Sequence, residues 1–199
     1  MLLWKEVYKT SNKTGGVIMK KGLILLSAVL ILTMFFSGCG IGVSVKIPTF
    51  TFQMDIGSSL SQSRALVSGT ETANKPWDKV DTQGFNVREL YLNPKLVIYP
   101  DSTETLDTEI DFKLYLSEEG ANQRENLFLE DTIEPATKTY NWKHSSKDND
   151  GVAFLLDLIK EHKSTTLVFT LDYTFHEFEQ GMEPVPVEFT IKGNANVGF

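Results

Sequence analysis

From Val43 onward, apolar and polar residues alternate in short runs separated by turn-forming residues. Val43, Val45 and Ile47, then Phe50, Phe52 and Met54, alternate with Ser44, Lys46, Thr49, Thr51 and Gln53. This period of two marks strands with one face buried. Pro48 separates the two runs, and a strand tolerates proline only at an edge or a bulge. Residues 55–76 (DIGSSLSQSRALVSGTETANKP) lose the period and are rich in Ser, Thr and Gly, so a long loop is expected over 55–84. FNVRELYL and KLVIYP resume the alternation, with Asn93-Pro94 between them as a turn signal. In EIDFKLYL (109–116), Ile110, Phe112, Leu114 and Leu116 share one face, opposite Asp111, Lys113 and Tyr115.

LFLEDTI (127–133), TTLVFTLDYTFHEF (165–178) and VPVEFTIKG (185–193) complete the strand set. Residues 151–162 (GVAFLLDLIKEH) change to helical spacing, with Phe154, Leu155, Leu158 and Ile159 on one face and Asp148 or Asp150 as the expected cap. Half-buried alternation throughout predicts antiparallel sheets, and two such sheets bury their apolar faces against each other. The expected fold is therefore mainly β: an antiparallel β-sandwich, Ig-like or another Greek key, with one short α-helix near 151–162. With no internal repeat and no second set of core positions, residues 43–199 are read as one domain.

Charge divides the chain. The first 38 residues hold five Lys and a single acid, Glu6, whereas the rest holds 14 Lys and Arg against 25 Asp and Glu. Phosphate binding needs a basic face, so no nucleic-acid partner is expected. An acidic body is also repelled by anionic headgroups, so membrane attachment must come from the N-terminus. There Lys20 and Lys21 precede fifteen mostly apolar residues, Gly22 to Phe36, and then Ser37-Gly38-Cys39. A spanning helix needs roughly 20 apolar residues, while a secretory h-region needs about 7–15. Residues 19–38 thus read as a signal peptide. Residues 1–18 are expected to be either an upstream mis-assigned start, with translation from Met19, or an extended basic region.

Ser37-Gly38-Cys39 resembles the end of a lipobox, the motif of bacterial lipoprotein signal peptides, with Phe36 where Leu is usual. The resemblance implies that the Cys39 thiol is diacylglycerylated and the chain cut before it. Residues 39–42 then become a lipidated tether, with palmitate-type acyl chains holding the protein on the membrane. Two chains are retained durably where one is marginal. Gly40 stands where Asp would mark inner-membrane retention, so in a cell with two membranes the resemblance favours the outer one. Cys39 is the chain's sole cysteine, and the exported body forgoes disulfides.

Candidate chemistry in the body is sparse. Asp107, Glu109 and Asp111 at spacing two suit a solvated strand face better than a calcium site. Ser146, Asp148, Asp150 and Asp157 partly match an EF-hand loop, but Asp-Asn-Asp-Gly before a helix is also an ordinary turn with a cap. His144, His162 and His176 are scattered, and no serine sits in a nucleophile elbow. His176 is expected at the surface and His162 in the last helical turn. Three aromatic residues are candidates to face a ligand: Trp77, flanked by polar residues, and Tyr140 and Trp142, which period two puts on one strand face. The expectation is a lipid-anchored envelope protein with no enzymatic activity and no cofactor or metal, binding an envelope protein or glycan. The alternative is a carbohydrate-binding domain or hydrolase whose site forms only in three dimensions.

Overall fold

The computed structural model describes residues 43–58, 66–82, 84–178 and 182–198. The expected signal peptide, Cys39 and the expected tether lie outside the described residues, as do 59–65 and 83 of the expected loop.

Among the described residues, ten strands and one helix follow in order: β1 (Val43–Lys46), β2 (Phe50–Ile56), β3 (Val67–Trp77), β4 (Asn86–Ile98), β5 (Ile110–Glu118), β6 (Asn126–Ile133), β7 (Thr139–Asn141), β8 (His144–Ser145), α1 (Asp150–Lys160), β9 (Thr165–Phe175) and β10 (Val185–Gly198). Every ladder is antiparallel. β1 and β2 occupy successive stretches of one edge of β10, and β7 and β8 successive stretches of one edge of β4. Counting each interrupted pair as one position, the first sheet runs 1-8-3-6 and the second, β3-β9-β5-β6, runs 2-7-4-5. That order is two Greek keys wound as a jelly roll. The expected Greek-key sandwich is therefore what forms, and its order is not that of an Ig domain.

The prolines explain the interruptions. Pro48 separates β1 from β2, and the Ile47 amide still donates to Gly193 O at 3.2 Å, so the edge stays tied. Pro94 was expected to end a strand, yet β4 runs through it for 13 residues. Its carbonyl accepts from the Trp142 amide at 3.0 Å, on the side facing the β7–β8 edge. The missing N–H therefore falls where β7 and β8 are themselves interrupted, and no ladder bond is lost.

The larger correction is β3. Residues 67–77 fall in the expected loop but form an 11-residue strand paired with β9 along its length. Its inward positions are Val67, Gly69, Glu71, Ala73 and Lys75, each only half-buried because β3 is an edge. An edge strand needs no large apolar side chains there, so the hydrophobic signal is missing. Gly69 is required by its neighbour: a Cβ there would lie 2.2 Å from the Tyr173 hydroxyl.

The core lies between the sheets. Phe52 and Phe189 of the first meet Phe169 and Phe112 of the second, with ring centroids 4.3 Å apart for Phe52–Phe169 and 6.4 Å for Phe112–Phe189. Helix α1 packs against β4 and β8 of one sheet and β6 of the other through Val152, Leu155, Leu158 and Ile159. Its cap is Asn149, between the two expected aspartates. The Asn149 side chain accepts from the Val152 amide at 3.0 Å and donates to Phe128 O at 2.9 Å, a donor bond that aspartate could not make. At the other end the His162 amide bonds Ile159 O and the Lys163 amide bonds Leu158 O, a Schellman closure. His162 is thus two residues beyond the helix, past the cap Glu161, in the left-handed region at φ 52.

Candidate functional site

The outer face of the β3-β9-β5-β6 sheet carries a dense set of polar side chains. Strand register sets them in rows across the sheet. One row is Ser68, Thr174, Asp111 and Thr132, and the next is Thr70, Asp172, Lys113 and Glu130. Period two makes this arrangement: the apolar residues of β5 and β9 fill the core, so the alternate positions must face out. Arg124, from the turn between β5 and β6, reaches across to β9. It donates from Nη2 to Asp172 Oδ1 at 2.7 Å and to Thr70 Oγ1 at 3.2 Å, and from Nε to the other carboxylate oxygen. Together these residues line an open recess of about 610 Å3.

Its electrostatics follow from these bonds. The Arg124 guanidinium, helped by the Thr70 hydroxyl, holds the Asp172 carboxyl below the usual range. Glu130, 2.7 Å from Lys113 Nζ, raises the lysine. Asp111 accepts from Thr132 Oγ1 at 2.6 Å and meets His176 Nε2 at 2.8 Å, and both bonds lower its carboxyl. His176 Nδ1 lies 3.3 Å from Glu109 Oε2, so the imidazole sits between two carboxylates. The bond to Asp111 pushes its pKa up. In this chain a carboxylate separates the Thr132 hydroxyl from the imidazole, so His176 cannot take a proton from Thr132. The face is built to exchange hydrogen bonds and charge.

The expected aromatic sites lie elsewhere. Trp77 is not exposed: it is 1% accessible and stacks on Phe50 at 5.4 Å with 12° between the rings. It is the last inward position of β3, so its sequence neighbours Pro76 and Asp78 point away from it. Tyr140 and Trp142 do share one face and stack at 5.8 Å, but that face is the inward one, and both are half-buried. Trp142 meets Phe112 edge-on, and its Nε1 donates to Asp131 Oδ2 at 2.7 Å across the gap between the sheets. The Tyr140 hydroxyl accepts from the Glu134 amide at 2.6 Å. Both rings close the side of the sandwich where β7 faces β6.

Around the partial EF-hand pattern, Asp148 Oδ1 accepts from the Ser145 amide at 2.8 Å, and Asp157 pairs with Lys160 on the helix surface. Among the described residues no three His, Cys, Asp or Glu side chains converge on a common point. His144 is half-buried beside Phe128, and burial lowers its pKa.

Nothing in the sequence pattern marks the recess. Arg124 lies in a polar turn like many others, and Asp172 is one acid within a strand. Only the β5–β9 pairing brings them together, and Thr70 joins them from β3, the strand the pattern hid.

No family model matches the sequence, and no curated protein matches it. Among solved structures, one similarity is to the crystal structure of infectious bursal disease virus VP2 subviral particle: TM-score 0.26, 11% identity, covering 79% of this chain and 33% of that one. Another is to the structure of infectious bursal disease virus Gt strain, at TM-score 0.23 and 11% identity, covering 79% of this chain and 42% of that one. The chain spans less than half the length of either. The jelly-roll order stands on the ladders described above.

Proposed function

We propose that this chain is a lipid-anchored protein of the bacterial cell envelope whose β-sandwich is a non-enzymatic binding module. Its binding surface is the recess on the outer face of the β3-β9-β5-β6 sheet. The location rests on the basic, apolar and small-residue order that ends at Cys39, and on the acidic body that follows. In a cell with two membranes, Gly40 favours the outer one.

The binding role is carried by one observation: two adjacent rows of hydroxyl, carboxylate and cationic side chains around an open recess, clamped by Arg124 on Asp172. Their geometry is fixed by strand register and mutual hydrogen bonds, so little side-chain entropy is left to lose on binding. Each group is at least partly solvent-exposed and already partnered, so each contact to a ligand is weak. The fitting partner is therefore extended and polar, an envelope glycan chain or protein surface that engages many such groups at once.

Two measurements test the parts separately. In cells fed an alkyne-tagged palmitate, Cys39→Ala should lose the label, and its mature form should leave the membrane fraction. A labelled, membrane-retained Cys39→Ala protein would remove the anchor. For the recess, the paired variant Asp172→Ala with Arg124→Ala deletes both charges and leaves neither one unpartnered. It should retain the fold while losing envelope partners captured by the wild type. Unchanged capture would remove the recess as the binding surface.

A further inference from the structure

β3 is an 11-residue strand paired on one side only among the described residues, by β9. A free edge of that length is a template for another strand, and proteins ordinarily guard such edges with charges, prolines or bulges. In β3 the proline stands at its penultimate residue, Pro76, and the pairing with β9 runs without a bulge from Val67 to Trp77. Two charged residues remain, Glu71 and Lys75, both on the half-buried inward side, where a charge guards an edge against an arbitrary strand; being of opposite sign, they admit only a strand that brings the complementary charges opposite them. We infer that β3 pairs antiparallel with β3 of a second copy of this chain, so that two four-stranded sheets become one eight-stranded sheet.

Geometry fixes the register. A two-fold axis perpendicular to the sheet sets inward residues opposite inward residues, so the numbers of facing residues sum to an even value. With Glu71 or Lys75 on the axis, like charges face each other, which destabilises a pair. With Thr72 on the axis, Glu71 faces Ala73 and Lys75 faces Gly69, and neither charge finds a partner. With Ala73 on the axis, Glu71 faces Lys75 of the second copy on both sides of the axis. Thr72 then faces Asn74 on the outer side, and a small side chain meets its own copy at the centre.

The monomer prepares these groups. The Ser58 hydroxyl donates to Glu71 Oε1 at 2.7 Å and the Tyr173 hydroxyl approaches the same oxygen at 3.4 Å, which holds the carboxylate at the edge. Lys75 makes no ion pair among the described residues. Ser68 and Thr70 belong both to β3 and to the recess, so pairing sets two recesses side by side on one continuous face. A bivalent surface of that kind binds a repetitive partner more tightly than either half alone.

Sedimentation of the full chain in detergent micelles, with oxidative cross-linking on the membrane, tests this. The wild type should form a dimer, and Glu71→Lys should raise its dissociation constant at least tenfold. Glu71→Lys combined with Lys75→Glu should restore it, because the swapped charges again face each other. Ala73→Cys should give a disulfide-linked dimer at the axis, above the background of a parent carrying only Cys39, while Thr70→Cys should not. A monomeric wild type, a doubly swapped chain that stays dissociated while its melting curve matches the wild type, or cross-linking at position 70 in preference to 73 would each overturn the register.

Discussion

Trp142→Ala separates a ring that closes the sandwich from a ring that waits for a ligand. The side chain is half-buried, and truncating a fully buried Trp costs about 3–5 kcal/mol, so about 2 kcal/mol comes from packing. Its two aromatic neighbours, Tyr140 at 5.8 Å and Phe112 at 6.1 Å, add to that, since such pairs are worth about 0.5–1.5 kcal/mol when fully formed. The Nε1–Asp131 bond joins two partly exposed groups and contributes at most about 1 kcal/mol. The expected total is about 2–4 kcal/mol. At roughly 2–4 °C per kcal/mol for a body of this size, the melting temperature should fall by about 5–15 °C. Trp142→Phe keeps a ring and loses the bond, so it should cost about 1 kcal/mol. A cycle with Asp131→Ala should then show coupling of about 0.5–1 kcal/mol. Thermal and urea unfolding followed by circular dichroism read all of these. A Trp142→Ala loss below about 0.5 kcal/mol would refute the packing argument and return the Tyr140–Trp142 pair to candidacy as a stacking platform.

Other substitutions probe the helix and the recess. His162→Gly should stabilise the protein by about 0.5–1 kcal/mol in the same melts, because a left-handed Schellman position costs any residue with a Cβ. Gly151→Ala should destabilise by about 1–2 kcal/mol although alanine is the better helix former, since its Cβ would lie 2.8 Å from Phe128 Cβ. For His176 the folded pKa is raised, so its stabilisation is fully present below the unfolded value of about 6.5 and is lost as pH rises through the folded one. Melting temperatures between pH 6 and 8.5 should therefore fall less in His176→Gln than in the wild type. His144 runs the other way: burial lowers its pKa, so it removes stability as pH falls below about 6.5, and His144→Gln should be less sensitive to acid.

Much of the fold was legible because most strands are half-buried and declare themselves by period two. β5, with Ile110, Phe112, Leu114 and Leu116 all buried, is where the sequence expected it, and α1 spans nearly its expected range. What stayed hidden has a common cause. β3 is an edge, so its inward positions tolerate Gly69, Glu71, Ala73 and Lys75, and the pattern there looks like a loop. Pro94 looks like a turn until the gap between β7 and β8 is seen beside it. Polar neighbours at Trp77 suggested exposure, although alternation sends those neighbours to the other side of the strand. The recess suffered most, because Arg124, Thr70 and Asp172 come from three separate segments that meet only once β9 pairs with both β5 and β3. The proposed location is the reverse case: it rests on consecutive residues up to Cys39 and on no feature of the fold.

If partners meet the protein at the recess, contact there can be trapped directly. A photo-cross-linking amino acid at Lys113, in the centre of that face, should trap an envelope partner in growing cells. The same probe at Lys95, exposed on the outer face of the other sheet, should not. Trapping at position 113 alone is the predicted result. Equal trapping from both positions, or trapping from position 95 alone, would contradict the account.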